Sequence, residues 1–395
     1  MKETHFILRS TPAATRDLFL GVRSLESTVE PVAANLKLDV ADIDRRDLPA
    51  LTSHPDVIAA APSMPMKLIA PVAVKELPGA VAPGVAWGVH AVGADTSPFS
   101  GKGIVVAVLD TGIDASHPAF AGIAIVEKDF TGDGNGDQHG HGTHCAGTIF
   151  GRTTNGQRIG VAPGVEKVLI GKVIGLEGGP SEKIASAVLW AVDNGAHVIS
   201  MSLGIDFPGF VATLEKQGLP TELATSRALE GYRANVQLFT SLADFVQARG
   251  AFSQATLMVA AAGNESRTDV NPDFEIAVSP PAAAKGIISV AALANSKQGF
   301  FVAPFSNKGA NVSGPGVEIT SAKRGGGLTT MSGTSMAAPH VAGAAALWAE
   351  QIQGTATLNT FQLTARLVGS ANSAGFKSGF KAFDVGLGMV RAPQA

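Results

Sequence analysis

From Gly101 onward the chain alternates short, almost wholly apolar runs with longer stretches of helical spacing. The runs Ile104–Leu109, Val168–Ile174, Val198–Leu203, Leu257–Ala262 and Ile287–Ala291 each read as a strand buried on both faces. Ser181 to Asn194 carries apolar residues at helical intervals, with Ser181 as its expected N-cap and Gly195 as its stop. Strands of this kind separated by helices predict a parallel sheet covered on both sides, an α/β architecture. Functional residues of such sheets gather at the carboxyl ends of the strands. Asp110, Ser202–Gly204 and Gly263–Asn264 stand at such ends. The rhythm breaks at about 205–254, where two helix-like pieces, Thr221–Ala234 and Leu238–Arg249, read as an insertion between two strands.

Residues 1–75 have another texture. Strand-like runs at Phe6–Leu8, Leu36–Val40 and Val57–Ala61 accompany a helix-like piece at Arg46–Leu51, which predicts a small α+β unit. Pro71 to Gly84 contains three prolines and two glycines and reads as a linker, so that 76–100 leads into a second domain over 101–395.

Composition narrows the field. With 45% hydrophobic and 16% charged residues the chain is expected to be globular. A net charge of −3 and the lack of a dense basic stripe argue against a nucleic-acid partner. Cys145 is the single cysteine, so neither an internal disulfide nor a multi-cysteine metal site is available. No apolar run reaches the roughly 18–20 residues that cross a bilayer, so no membrane partner is expected. The first residues lack the basic start and long apolar stretch of a secretory leader. The expected location is therefore cytoplasmic, with secretion the alternative if a leader has been removed.

Three motifs carry chemistry. Val108-Leu-Asp110-Thr-Gly112 puts an acid at the end of an apolar strand; His139-Gly-His141-Gly-Thr-His144 follows; Ser332-Gly-Thr-Ser335-Met-Ala-Ala-Pro-His340 opens an alanine-rich helix. A serine hydroxyl is a weak nucleophile at neutral pH and needs a base, and the base needs a carboxylate to fix its tautomer. An acid, a histidine and a serine in separate segments meet that need if the fold brings them together. A helix start at Ser335 adds backbone N–H groups and a favourable dipole for developing negative charge. A fourth motif, Ala260-Ala-Ala-Gly263-Asn264, follows a strand and offers a side-chain amide to an oxyanion.

These four motifs, in the order acid, histidine, serine, resemble the subtilisin family of serine peptidases (peptidase S8), from about Trp87 to Val390. The resemblance implies a subtilisin-like three-layer fold with a central, mostly parallel sheet. It implies peptide-bond hydrolysis of protein or peptide substrates through an acyl-enzyme on Ser335. Asp110 then orients the base, His141 is the base, and Asn264 joins the Ser335 backbone N–H in the oxyanion hole. Ser202, Leu203 and Gly204 resemble the edge strand that pairs with substrate backbone, a form of β-augmentation. Ala261, Ala262 and Gly263 resemble a wall of the pocket for the residue before the cut, and Ser279 is placed near its floor. Residues 1–75 resemble a prodomain that covers the cleft until it is cut away, with cleavage expected within 65–85. Activity is expected to rise near neutral to mildly alkaline pH as His141 loses its proton.

Calcium is a frequent structural ion of the family, and no cofactor is required for the chemistry itself. The common calcium ligands look degraded here, with Ala119 where an aspartate is usual and Thr154 in a loop, 152–158, without a carboxylate. Asp133-Gly-Asn-Gly-Asp137 is read as a turn rather than a calcium loop. His144, His340 and Cys145 are read as structural. A metallohydrolase using His139, His141 and His144 is the rival enzyme reading; it leaves Asp110, Asn264 and Ser335 without a role. An α/β-hydrolase fits neither the motif nor the residue order. A stably self-inhibited relative that acts by binding is the rival outside catalysis.

Overall fold

The computed structural model describes residues 2–11, 35–73, 84–176, 178–250 and 254–394. Of the expected linker, 74–83 lies outside the described residues.

An eight-stranded sheet forms the body. Its order is Gly299–Val302, Ile287–Ser296, Leu257–Ala261, Val198–Met201, Val105–Asp110, Lys167–Lys172 and Ala124–Asp129, with Val312–Pro315 also paired to Ile287–Ser296. Every pairing is parallel except that of Gly299–Val302. The alternation along Val105–Asp110 shows why both faces must be covered. Val106 and Val108 pack with the helices His141–Phe150 and Thr334–Gln353 on one side, whereas Ala107 and Leu109 pack with Ser181–Asp193 and Thr221–Arg249 on the other. All four residues are at most 1% exposed. The result is a three-layer α/β fold with a mostly parallel sheet. Chain order reverses between Val105–Asp110 and Val198–Met201, the kind of switch point that opens a crevice beyond the strand ends.

Two local expectations are corrected. The segment read as two helices is one helix, Thr221–Arg249, preceded by a further helix, Phe207–Lys216. The helix runs through the gap between the two expected pieces, where the buried Asn235 amide donates to Gly231 O and to Pro62 O. Ser181 is not an N-cap: Pro180 takes that position, and Ser181 Oγ accepts instead from Met64 N at 3.1 Å. Gly195 does follow the helix, with φ of 82° that a glycine adopts without strain. No described helix is long and apolar enough to cross a membrane.

The first region forms an antiparallel sheet in the order Asn35–Asp44, Lys2–Thr11, Val57–Pro62. Its apolar face, with Phe6, Leu8, Ala59 and Ala61, packs onto the outer side of Ser181–Asp193 and Thr221–Arg249. Burying Phe6 and Leu8, both 0% exposed, contributes about 1.5–3 kcal/mol each. The inserted helix adds polar contacts: Arg45 Nη2 meets Glu230 Oε1 at 2.6 Å and Arg227 Nη1 meets Glu3 Oε1 at 3.3 Å. Gly231 admits Met64 and Pro62, because a Cβ there would lie 3.2 Å from each side chain.

Candidate active site

Asp110 closes its strand and His141 opens its helix, and the two meet in the crevice. His141 Nδ1 stands 2.8 Å from Asp110 Oδ1, with both side chains almost wholly buried. The same carboxylate oxygen accepts from Thr111 N at 2.8 Å, so the acid is held from its own turn. Gly112 and Gly142 permit the approach: a Cβ on Gly142 would lie 2.2 Å from Gly112 O. Asp137 fastens the other side of this turn, accepting from Thr111 Oγ1, Gly140 N and Thr143 N.

Ser335 is the second residue of the helix Thr334–Gln353. Cys145 Sγ lies 3.4 Å from Ser335 O, 3.7 Å from His141 Nδ1 and 3.8 Å from Ser202 Oγ. One buried thiol thus marks the point where the serine, the histidine and the strand end converge. Burial, reinforced by the Asp110 charge, pushes the Cys145 pKa up, so the thiol stays protonated and unreactive.

The Ser335 hydroxyl makes no hydrogen bond to His141. It donates to Ile69 O at 2.8 Å, and His141 Nε2 is buried without a hydrogen-bond partner among the described residues. The reason is a strand laid along the crevice. Pro65–Leu68 runs antiparallel to Leu203–Ile205 on one side and to Gly179–Pro180 on the other. Lys67 is paired with Gly204, and Ile69 N donates to Ser202 O at 3.4 Å. A Cβ on Gly204 would lie 2.8 Å from Ser279 Oγ and 3.6 Å from Ile69 Cγ1, which puts Ser279 beside the buried Ile69 side chain. Asn264 Nδ2 donates at 2.9 Å not to Ile69 O but to the next carbonyl, Ala70 O. Asn264 Oδ1 accepts from Thr334 N and Thr334 Oγ1, both at 2.9 Å, which locks the amide.

The segment Ala261–Gly263 continues one strand end beside this point. Gly263 N donates to Thr334 Oγ1 at 3.1 Å, and Ala262 O accepts from Ser279 N at 3.2 Å. These bonds tie the Ala261–Gly263 segment, Ser279 and the Ser335 helix into one frame. Met66, Lys67, Ile69 and Ala70 were not singled out from sequence. The apolar Met64–Ala70 run, broken by one proline and one lysine, was the available signal, but its partner strands lie more than 100 residues away.

The three-histidine metal reading is corrected. His144 turns its Nε2 to Ile319 O at 2.9 Å, and His139 is exposed with its ring centroid 6.2 Å from that of His141. Burial holds His144 down to about 3 and His340 down to about 4, so both are neutral near pH 7. The residues at the family's common calcium position do not fit the ion. Ala119 presents a buried methyl, and Thr154 Oγ1 donates to Arg152 O in a loop closed by the Thr154–Gln157 pair. Arg158 binds the carbonyls of Ala94, Gly160 and Val161 there with its own fixed positive charge.

A buried acid–histidine pair, a serine at a helix start and an amide donor in one crevice define a serine hydrolase built to hold an extended peptide. Comparison with known proteins gives the family. The model of the subtilase family (Peptidase_S8) matches residues 101–388. The chain is 35% identical over 304 residues to subtilisin Savinase of Lederbergia lenta, covering 74% of this chain and 95% of that protein. It is 36% identical over 257 residues to the major intracellular serine protease of Bacillus subtilis, covering 62% and 68%. Fervidolysin of Fervidobacterium pennivorans shares the fold with a TM-score of 0.65 at 23% identity, over 99% of this chain, which spans 60% of fervidolysin's length. The chain belongs to the subtilase family, the subtilisin-like serine endopeptidases.

Proposed function

We propose that the chain is the precursor of a serine endopeptidase that processes itself, with residues 1–75 as its prodomain. The observation that carries this reading is the strand Pro65–Leu68, laid antiparallel to Leu203–Ile205 and delivering Ile69 O to within 2.8 Å of Ser335 Oγ. A protein or peptide substrate takes the same path, held in extended form by backbone pairing.

In the reaction Ser335 Oγ attacks the carbonyl carbon while His141 Nε2 accepts the hydroxyl proton. Asp110 holds the imidazole through Nδ1 and stabilises the imidazolium. Asn264 Nδ2 and Ser335 N–H receive the oxyanion. His141 gives its proton to the leaving amine, and water then releases the acyl group by the same steps in reverse. The Asp110 role is supported by its contact with His141 Nδ1, and the roles of His141, Ser335 and Asn264 by their match to the family motif.

The test is intact mass with a serine-reactive fluorophosphonate, on wild type and on Ser335→Ala. The expected result is one adduct on the wild type with loss of an N-terminal fragment, against an unlabelled full-length variant. Label on Ser335→Ala, or a processed Ser335→Ala chain, overturns the reading.

A further inference from the structure

Lys67 is the third residue of the cleft strand counting back from the carbonyl of Ile69, and its ammonium has two acidic neighbours. Nζ lies 3.2 Å from Asp206 Oδ1 and 3.7 Å from Glu265 Oε1. Each carboxylate is also held by a neighbour other than the lysine. Asp206 caps the inserted helix Phe207–Lys216, its side chain accepting from Gly209 N, while its own N–H donates to Pro65 O at 2.9 Å. Gly209 keeps that carboxylate in place, since any Cβ there would overlap it. Glu265 follows Asn264, and its Oε2 accepts at 2.8 Å from the fully buried Asn307 amide, which leaves Oε1 for the lysine. One carboxylate comes from the strand-to-insertion junction and the other from the segment that carries the amide donor. Both reach the side chain at the third position of the cleft strand.

We propose that Asp206 and Glu265 form an acidic subsite that selects lysine or arginine at the third residue before the cut bond. The inference rests on the endopeptidase reading and adds the substrate class. Three lines carry it: the strand register that pairs Lys67 with Gly204, the two ion-pair distances, and the anchoring of each carboxylate by a neighbour other than the lysine. The three side chains are 32–40% exposed, so each pair alone has a modest effect. Two pre-positioned carboxylates together are expected to favour Lys over Glu by roughly 3- to 10-fold at low ionic strength, and by less in about 1 M salt.

The test uses quenched-fluorescence peptides with Met, Leu and Ile at the flanking strand positions and Lys, Ala or Glu at the third, the cut bond being read by mass. The protein is used as purified, because any residual covering by its own strand slows all three peptides alike and leaves their kcat/KM ratios intact. The expected order is Lys, then Ala, then Glu, with the Lys-to-Glu ratio falling to near one in Asp206→Asn/Glu265→Gln and inverting in Asp206→Lys/Glu265→Gln. A ratio near one in a wild type that takes the fluorophosphonate on Ser335, or an unchanged ratio in the double variant, overturns the subsite and leaves the endopeptidase reading standing. No cleavage and no label on Ser335 overturns both.

Discussion

Replacing Ile69 by aspartate tests whether the cleft strand covers the nucleophile. Ile69 is 2% exposed, with its side chain beside Gly204 and its carbonyl on Ser335 Oγ. Losing the burial of an isoleucine costs about 1.5–3 kcal/mol, and a carboxylate in that pocket adds a desolvation penalty. At about 1.4 kcal/mol per decade, the open fraction rises roughly 10- to 100-fold. The assay is the rate at which a fluorophosphonate labels Ser335, counted by mass on chains that are still full length. Val40→Asp is the control, since Val40 is 53% exposed on the first region's sheet and should leave the rate unchanged. Equal labelling of wild type and Ile69→Asp would refute the reasoning, because the strand would then not limit access to the hydroxyl.

Asn264→Ala should lower kcat of peptide cleavage by about 10²–10³ with KM little changed, since one oxyanion donor supplies about 2.7–4 kcal/mol; that value comes from subtilisin itself and is carried over to this relative. Acid should destabilise the fold between about pH 6.5 and pH 4. Burial holds His144 down to about 3 and His197 and His340 to about 4, so the unfolded chain binds more protons across that window. The stability these neutral histidines contribute is complete above about pH 6.5 and falls by about 2 kcal/mol each by pH 5, which urea melts across that range measure. An unchanged midpoint from pH 7 to pH 5 contradicts this. A chelator should leave Tm unchanged at the 152–158 loop, whereas Arg158→Ala should cost roughly 1.5–3 kcal/mol through three lost carbonyl contacts; a large chelator effect combined with a silent Arg158→Ala would show that an ion, not the guanidinium, ties the loop.

What was legible in the sequence was whatever is written locally. Asp110, His141, Asn264 and Ser335 each lie at the end of a strand or the start of a helix, within a few residues of the glycines that shape the turn. Motif and position therefore point to the same four residues. The apolar runs fixed the sheet because both faces of each strand are buried, as Val106 and Ala107 show. Features that depend on distant partners were not legible. Thr221–Ala234 and Leu238–Arg249 read as two helices where the structure has one, and Ser181 reads as a cap although its hydroxyl accepts from Met64 N. Lys67 reads as one surface lysine until the cleft aligns it with Asp206 and Glu265.

The register in the cleft explains how one strand can be both inhibitor and substrate. Attack on Ile69 requires Ser335 to turn its proton toward His141 and Ile69 O to occupy the donor position of Asn264. Instead Ser335 donates to Ile69 O, and Asn264 holds the carbonyl one residue further on. Pro71 has no N–H to offer, so the first backbone tether beyond Ala70 is Val72 N donating to Ser332 O at 2.7 Å. That tether draws the chain toward the Ala70-held arrangement and away from attack. Val72→Pro removes the donor, and a neutral hydrogen bond of this kind contributes about 0.5–1.5 kcal/mol. If the tether sets the register, self-cleavage followed by mass should speed up by roughly 2- to 10-fold in Val72→Pro. A rate equal to or below that of the wild type would mean that the bond to Asn264, not the tether, holds the strand out of reach, and Asn264 would then be acting in latency as well as in turnover.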